Sequence, residues 1–323
     1  MPALPLPNVL ITEPIHPAGV AILQQSCNVQ QSAISDSPEF LQHLHNADAV
    51  IIRSRPFTSH LMAAAPRLRV IGRHGAGIDN IDVEYAKETG IEVVNTPRSN
   101  TNSVAEYVIT VCLMLLKRLP EVSAALRGGD FSSSGQSLPG QVDQAGLIGR
   151  EARGRTIGLV GVGAIGLSVA KFAESFGMTV LGYDPYLKDK TKPGFRFVDT
   201  LQELLAEADI VSLHIPGGHQ NQHLIGAAEI RQMRPGGILI NAARGGLVDI
   251  EALATALSDG HLAGAAVDVF EIEPPVPDDI IFSAPNLLLT PHMAAMTDEA
   301  LRRMSVDVAL GVVRHLTDIS EIA

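Results

Sequence analysis

The sequence predicts an α/β protein made of two doubly wound parallel-sheet domains with a cleft between them. Three observations carry this. Short β-rich runs alternate with helix-like stretches through the first hundred residues, six further strand-like runs recur with helices between them after Thr156, and a glycine turn joins the first of those six to a helix. A chain of 323 residues with 46% hydrophobic content can bury large cores, and its length suggests two domains rather than one.

In the first domain the strand-like runs are Val9-Leu10-Ile11, Ala49-Val50-Ile51-Ile52, Leu68-Arg69-Val70-Ile71 and Glu92-Val93-Val94. Residues 101–119 then form a long helix, apolar on several faces, with Pro120 near its end; such a helix suits burial between domains or subunits. Residues 130–144, rich in Ser, Gly and Gln, read as an exposed loop or lid. The six later strands fall at 157–160, 179–182, 210–213, 238–241, 263–268 and 287–290, and a final helix over 298–316 is expected to return to the first domain. The boundaries that follow are 1–100 with 293–323, and 101–292.

The turn Gly161-Val162-Gly163-Ala164-Ile165-Gly166 has the form of a dinucleotide site. Gly161 permits the tight turn, Gly163 lets backbone N–H groups approach a pyrophosphate, and Gly166 lets helix and strand pack closely beside the positive end of the helix dipole. Asp184 closes the second strand, where its carboxylate can accept from the adenosine ribose hydroxyls and repel a 2′-phosphate. NAD is therefore expected in preference to NADP, on a Rossmann-type sheet.

Ligands bind beyond the carboxyl ends of the strands in such sheets, so the polar groups following each strand are the candidates. The third strand leads to His214-Ile215-Pro216, the fourth to Ala242-Ala243-Arg244-Gly245-Gly246, the fifth to Asp268 and Glu273, and the sixth to Pro291-His292. Arg244 offers a planar fork for a carboxylate, His292 can give or take the proton of an oxygen at a reacting carbon, and Glu273 on that ring would favour imidazolium. These groups suit hydride transfer to a 2-keto acid, with His214 as the alternative acid–base group. No His/Cys spacing suggests a metal.

A net charge of −11 argues against a nucleic-acid partner, and an anionic substrate then has to be captured by a few local arginines. The apolar run 108–116 is too short to span a membrane, the opening Met1-Pro2-Ala3-Leu4 lacks a signal-like start, and Cys27 and Cys112 read as core side chains. A cytoplasmic protein is expected.

Taken together, Arg73-His74-Gly75-Ala76-Gly77-Ile78-Asp79-Asn80-Ile81-Asp82, Asn95-Thr96-Pro97, Ser103-Val104-Ala105-Glu106, the glycine turn, residues 241–249, 268–275 and Pro291-His292 resemble the D-2-hydroxyacid dehydrogenase family, most nearly its D-3-phosphoglycerate dehydrogenase branch. The resemblance covers nearly the whole chain. It implies a flavodoxin-like substrate domain beside the Rossmann domain, and Arg244, Glu273 and His292 as the catalytic trio. For the cofactor it implies Ala164 and Ile165 at the pyrophosphate, Ile215 at the adenosine, Asp268 at the nicotinamide carboxamide, and Ala242, Ala243 and Ala295 among the remaining contacts. The substrate carboxylate would meet the N–H groups of Gly75, Ala76 and Gly77, while Arg53, Ser54 and Arg73 resemble the phosphate anchor of that branch. The helix after Asn100 would make a homodimer interface.

Three features depart from the family pattern: Met293-Ala294-Ala295-Met296 follows the catalytic histidine, Phe131 stands where a tryptophan is common, and no regulatory domain is expected after Ala323. The expected activity is NAD-dependent oxidoreduction of a small D-2-hydroxy acid, 3-phosphoglycerate among the candidates. The alternatives are a hydroxypyruvate or glyoxylate reductase and, in another class, a corepressor-like module that binds NAD(H).

Overall fold

The computed structural model describes residues 5–191 and 194–317. The segment Met1 to Leu4, where no signal-like start was found, and residues 318–323 of the expected first domain lie outside the described residues. Two compact units form, residues 1–101 with 295–323 and residues 102–294.

The first unit holds a five-stranded sheet of β1 (Asn8–Ile11), β2 (Asn28–Gln31), β3 (Ala49–Ile52), β4 (Val70–Arg73) and β5 (Glu92–Val94), in the order β2-β1-β3-β4-β5 and parallel throughout. Its central strands are continuous apolar runs because helices cover both faces. Phe40, Leu44, Phe57 and Met62 fill one side against Leu10, Val50, Ile52 and Ile71. Leu23, Val308, Ala309 and Val312 fill the other against Val9, Ile11, Ile51 and Val70, so the helix Asp298–Leu316 belongs to this sheet. Thr297 caps that helix through its hydroxyl, which accepts from Ala300 N at 3.3 Å, and acids in its first turn and Arg314 and His315 in its last complement the dipole. The strand β2 was not foreseen. Its sequence, Asn28-Val29-Gln30-Gln31, suits a half-solvated edge and carries no apolar run.

The second unit holds seven parallel strands rather than six: β6 (Thr156–Val160), β7 (Thr179–Tyr183), β8 (Phe195–Phe197), β9 (Ile210–Leu213), β10 (Gly237–Asn241), β11 (Leu262–Val267) and β12 (Leu287–Leu289), ordered β12-β11-β10-β9-β6-β7-β8. The extra strand β8 is a three-residue edge whose Phe195 and Phe197 rings stack with centroids 5.4 Å apart. The crossover between β6 and β7 is the helix Ala164–Ser175, whose first residues belong to the glycine turn itself.

The long apolar helix runs Thr101–Leu116 and stops short of Pro120. Arg118 takes a left-handed conformation (φ 53°), and Pro120 starts the next helix, Leu119–Gly128, where its missing N–H costs nothing. The apolarity of Thr101–Leu116 is largely accounted for by burial of eight of its apolar side chains in the monomer; Leu119, Leu126, Leu138 and Ile148, which follow it, are exposed. The segment 130–144 is not all loop. Residues Leu138–Gln144 form a helix capped by Ser137, and the buried Gln141 amide accepts from Ser133 N (3.0 Å) and donates to the carbonyls of Ser133 and Gln136. A short helix built on a Leu-Pro-Gly start gives little periodicity to read. Among the described residues, no helix is long and apolar enough to cross a membrane.

His74, directly after β4, is 3% exposed, and its Nε2 lies 3.0 Å from Ser305 Oγ. Burial, then the charges of Arg53 and Arg73, lower its pKa to about 4. An unfolded chain protonates this ring near pH 6.5 while the fold keeps it neutral, so its contribution is complete above about pH 6.5 and is lost as the pH falls towards 4. The thermal midpoint is expected to fall over that window, and a His74→Gln variant, though less stable at neutral pH, should show a shallower decline in calorimetry. An equally steep decline in the variant would remove His74 as a cause.

Candidate active site

In the second unit the candidate residues gather at the carboxyl edge of the sheet, each delivered by the end of a different strand. The turn after β6 places Gly161 at φ +95°, a conformation that strains any side chain, and a Cβ there would also meet His214 O at 2.6 Å. A Cβ on Gly166 would overlap the Gly161 carbonyl oxygen, whereas the space beside Gly163 is open. Gly163 is the N-cap of the helix Ala164–Ser175 and has no side chain to satisfy its first N–H groups. The turn is thus a cradle of open donors that a pyrophosphate fits. Asp184, just past β7, accepts from Val162 N through Oδ2 and from Tyr186 N through Oδ1, both at 3.0 Å. Its charge therefore sits against the glycine turn while the residue stays partly open to solvent.

After β9, Ile215 packs partly buried beside Gly161. The His214 ring is turned inwards: its Nε2 is sealed off with no hydrogen-bond partner, and burial lowers its pKa to about 4. The ring packs beside Gly166 with Nε2 closed off, so a proton on that nitrogen is disfavoured, whereas the His292 ring is about half exposed and is the better-placed acid–base candidate.

The turn after β10 is organised by Asn241. Its buried amide accepts from Ala243 N at 3.1 Å and donates to Arg244 O at 2.9 Å, drawing the chain over itself so that Ala242, Ala243 and Arg244 lie partly exposed on the rim. The Arg244 guanidinium donates to Ala243 O at 2.6 Å through one Nη, which fixes the root of the fork. Gly245 presses against the backbone of Phe270 and leaves no room for a side chain, so the turns after β10 and β11 are in contact.

Asp268 ends β11 completely buried. Its Oδ1 accepts from Thr290 Oγ1 (2.5 Å) and Met293 N (2.8 Å), its Oδ2 from Ala294 N (2.9 Å), and its carbonyl from His292 N (2.7 Å). These bonds wrap the chain after β12 into a turn in which His292 takes a left-handed φ of 52°. The imidazole then meets Glu273, whose carboxylate accepts from Nδ1 at 2.8 Å and is itself fixed by Phe270 N at 3.1 Å. With Nδ1 committed, Nε2 is the nitrogen left for a substrate. His292 is about half exposed, and beside the pair lies a cavity of about 360 Å³ walled by Phe270, Pro274, Pro275, Phe282, Leu289 and Pro291. Two further groups hold the turn. Tyr107 OH lies 2.6 Å from Thr290 Oγ1, its pKa pushed up to about 12 by burial with the Asp268 charge adding to the effect, and Ser103 Oγ donates to Ala294 O at 2.7 Å.

Sequence reasoning assigned no role to Asn241, Thr290, Tyr107 or Ser103. The signal for Tyr107 was present, since a tyrosine inside an otherwise apolar helix needs a partner for its hydroxyl. Among the described residues no group of three or more His, Cys, Asp or Glu is placed to hold a metal.

The remaining candidates belong to the first unit. Arg73 closes β4 and the chain turns through Gly75 (φ +145°), whose N–H donates to Arg73 O at 2.9 Å. Thr96 N donates to Gly75 O (3.0 Å) and Asn95 Nδ2 to Ala76 O (2.6 Å); among the described residues, the N–H groups of Ala76 and Gly77 donate to no protein acceptor. Arg53 follows β3, with Nη1 on Pro14 O at 2.9 Å. Ser54 has both its N–H and its hydroxyl on the Glu13 carboxylate. Ala295 accepts from Thr297 N at 3.1 Å in the lead-in to the last helix.

Comparison with known proteins shows the family. Residues 109–294 match the model of the D-isomer specific 2-hydroxyacid dehydrogenase, NAD binding domain. A D-3-phosphoglycerate dehydrogenase of Methanocaldococcus jannaschii is 38% identical over 305 residues, covering 94% of this chain and 56% of that protein, so the chain spans about half the length of such relatives. An (S)-sulfolactate dehydrogenase of Chromohalobacter salexigens is 39% identical over 303 residues, covering 92% of this chain and 94% of the other. The crystal structure of a D-lactate dehydrogenase from Aquifex aeolicus, complexed with NAD and lactic acid, superposes with a TM-score of 0.81 at 30% identity, covering 95% of this chain and 94% of that one. With a family model matching more than half of its length and a relative of nearly its own size, the chain belongs to the D-isomer specific 2-hydroxyacid dehydrogenase family, and residues 109–294 are its NAD-binding domain.

Proposed function

We propose that this chain is an NAD-dependent oxidoreductase that transfers a hydride between C2 of a small D-2-hydroxy acid and nicotinamide, and that its acid carries a second anionic group. The observation that carries the proposal is the 2.8 Å contact between His292 Nδ1 and Glu273, which leaves Nε2 to serve as the acid–base group. When bound, NAD supplies or accepts the hydride. The residues of the chain do the rest.

In the reducing direction, His292 delivers a proton from Nε2 to the C2 oxygen, and Glu273 offsets the positive charge while the ring holds that proton; in the oxidising direction the same nitrogen removes the hydroxyl proton. Arg244 pairs with the substrate carboxylate and polarises the neighbouring carbonyl. In the first unit, the open N–H groups of Ala76 and Gly77 suit an anion. Asp184 and the cradle of Gly161, Gly163, Ala164, Ile165 and Gly166 hold the adenosine side of the cofactor, with Ile215 beside it. The relatives named for 3-phosphoglycerate and sulfolactate favour an acid with a phosphate or sulfonate at C3, for which Arg53 and Arg73 are the partners. The same proposal includes a cytoplasmic homodimer, supported by the exposed apolar side chains Leu119, Leu126, Leu138 and Ile148.

A panel assay of NADH oxidation with 3-phosphohydroxypyruvate, sulfopyruvate, hydroxypyruvate, glyoxylate and pyruvate tests the activity. Turnover is expected to favour the first two, and His292→Gln should lower kcat by about 10²- to 10⁴-fold with NADH binding retained. Cofactor binding without turnover of any 2-keto acid would instead support a binding module, and preference for glyoxylate or hydroxypyruvate would reassign the substrate. Replacing Asp184 with Asn keeps an acceptor for Val162 N and removes the charge, so the ratio of NAD to NADP affinity should fall at least about tenfold, or about 1.4 kcal/mol. An unchanged ratio in fluorescence titrations would dissociate Asp184 from cofactor choice.

A further inference from the structure

The segment after β3 turns three successive N–H groups towards one point, and a side chain of the protein already occupies it. Glu13 Oε2 accepts from Arg53 N (2.9 Å), Ser54 N (2.8 Å) and Arg55 N (3.1 Å), and Oε1 accepts from the Ser54 hydroxyl. A run of converging N–H groups of this kind is a general anion-binding concavity. Here the anion is internal. Burial by itself would raise the Glu13 pKa; the bonds from the Ser54 hydroxyl and from the N–H groups of Arg55, Arg53 and Ser54 outweigh it and hold the carboxyl below its usual range, so the occupant is a carboxylate at neutral pH.

The carbonyl side of the same segment is held by Asn80. Its Nδ2 donates to Arg53 O (3.3 Å) and Arg55 O (2.9 Å), while its Oδ1 accepts from Arg73 Nε at 3.2 Å. One amide thus ties the backbone that carries Arg53 to the guanidinium of Arg73. The Arg53 guanidinium is steered at its far end by Pro14 O, the neighbour of Glu13, and by Met296 Sδ at 3.5 Å. Long arginine side chains lose much rotational freedom on binding, and a frame that fixes their roots and planes in advance reduces that cost.

We propose that Glu13 and Asn80 are positioning residues that preorganise Arg53 and Arg73 to pair with a tetrahedral oxyanion, phosphate or sulfonate, and that Ser54 serves Glu13 and not the substrate. This rests on the proposed activity only for the identity of the acid. The backbone concavity, filled by Glu13, cannot take the ligand, so recognition falls to side chains whose forks suit such an anion.

Calorimetric titration of the NADH complex with 3-phosphoglycerate and with D-glycerate, which differ only by the phosphate, tests the proposal without turnover. Wild type is expected to bind 3-phosphoglycerate at least about tenfold tighter than D-glycerate. Glu13→Ala and Asn80→Ala should each erase most of that difference while D-glycerate affinity stays within about twofold, which also shows that the variants fold. Glu13→Gln, which keeps an acceptor oxygen, should restore most of it. Adding Glu13→Ala to Arg53→Ala should change 3-phosphoglycerate affinity by less than about twofold, because the frame acts through the arginine. Equal losses for both ligands, additive effects, or tighter phosphate binding in Glu13→Ala would overturn the proposal, the last by showing the carboxylate to be a competitor. No preference for 3-phosphoglycerate in wild type would overturn it as well. An intact preference in a protein that turns over no 2-keto acid would instead remove the proposed activity and leave the site standing.

Discussion

The buried carboxylate of Asp268 is the constraint on which the candidate active site depends. A fully enclosed charge is tolerated only when its hydrogen-bonding capacity is met, and here Thr290, Met293 and Ala294 meet it from a single stretch of chain. That requirement bends the polypeptide after β12 into the strained left-handed turn at His292. The imidazole arrives on Glu273 as a consequence. Satisfying Asp268 offsets that strain, so the placing of the His292–Glu273 pair is maintained by a residue outside the pair. Tyr107 and Ser103 extend the same network to the helix Thr101–Leu116, which ties the turn to the body of the unit.

A second theme is the local handling of charge. A chain of net charge −11 repels anions at long range, so capture of the proposed acid has to rely on short-range groups held in advance. Arg244 has the Asn241-shaped turn beneath it, and Arg53 and Arg73 have Glu13 and Asn80 around them. Each arginine is supported by a neutral amide or by a carboxylate that faces backbone N–H groups.

The fold class was legible because parallel strands covered on both faces must be apolar throughout, and β1, β3, β4, β6, β9 and β10 announce themselves by composition. The edges were not. The strand β2 is polar and β8 has three residues, and neither needs a hydrophobic run when one side faces solvent. Within the site, the residues proposed to do the chemistry stood out by type and by position after a strand: Arg244, Glu273 and His292. Those that hold them did not, because Asn241, Thr290 and Tyr107 act through burial and through contacts distant in sequence. His214 illustrates the converse case. It had the right type and the right place, yet its Nε2 is buried without a partner, and ring orientation is set by packing that sequence order does not express.

Resemblance to the family implies that Asp268 serves the nicotinamide carboxamide, and its hydrogen bonds to Thr290, Met293 and Ala294 give it a second role as the anchor of the His292 turn. Single-turnover oxidation of NADH in an Asp268→Asn variant separates the two roles most directly, because the amide cannot accept from Met293 N and Ala294 N together. An anchor role predicts a fall in the chemical rate of at least about 10²-fold with NADH affinity within a few-fold of wild type. A wild-type chemical rate, with or without weakened NADH binding, would contradict it.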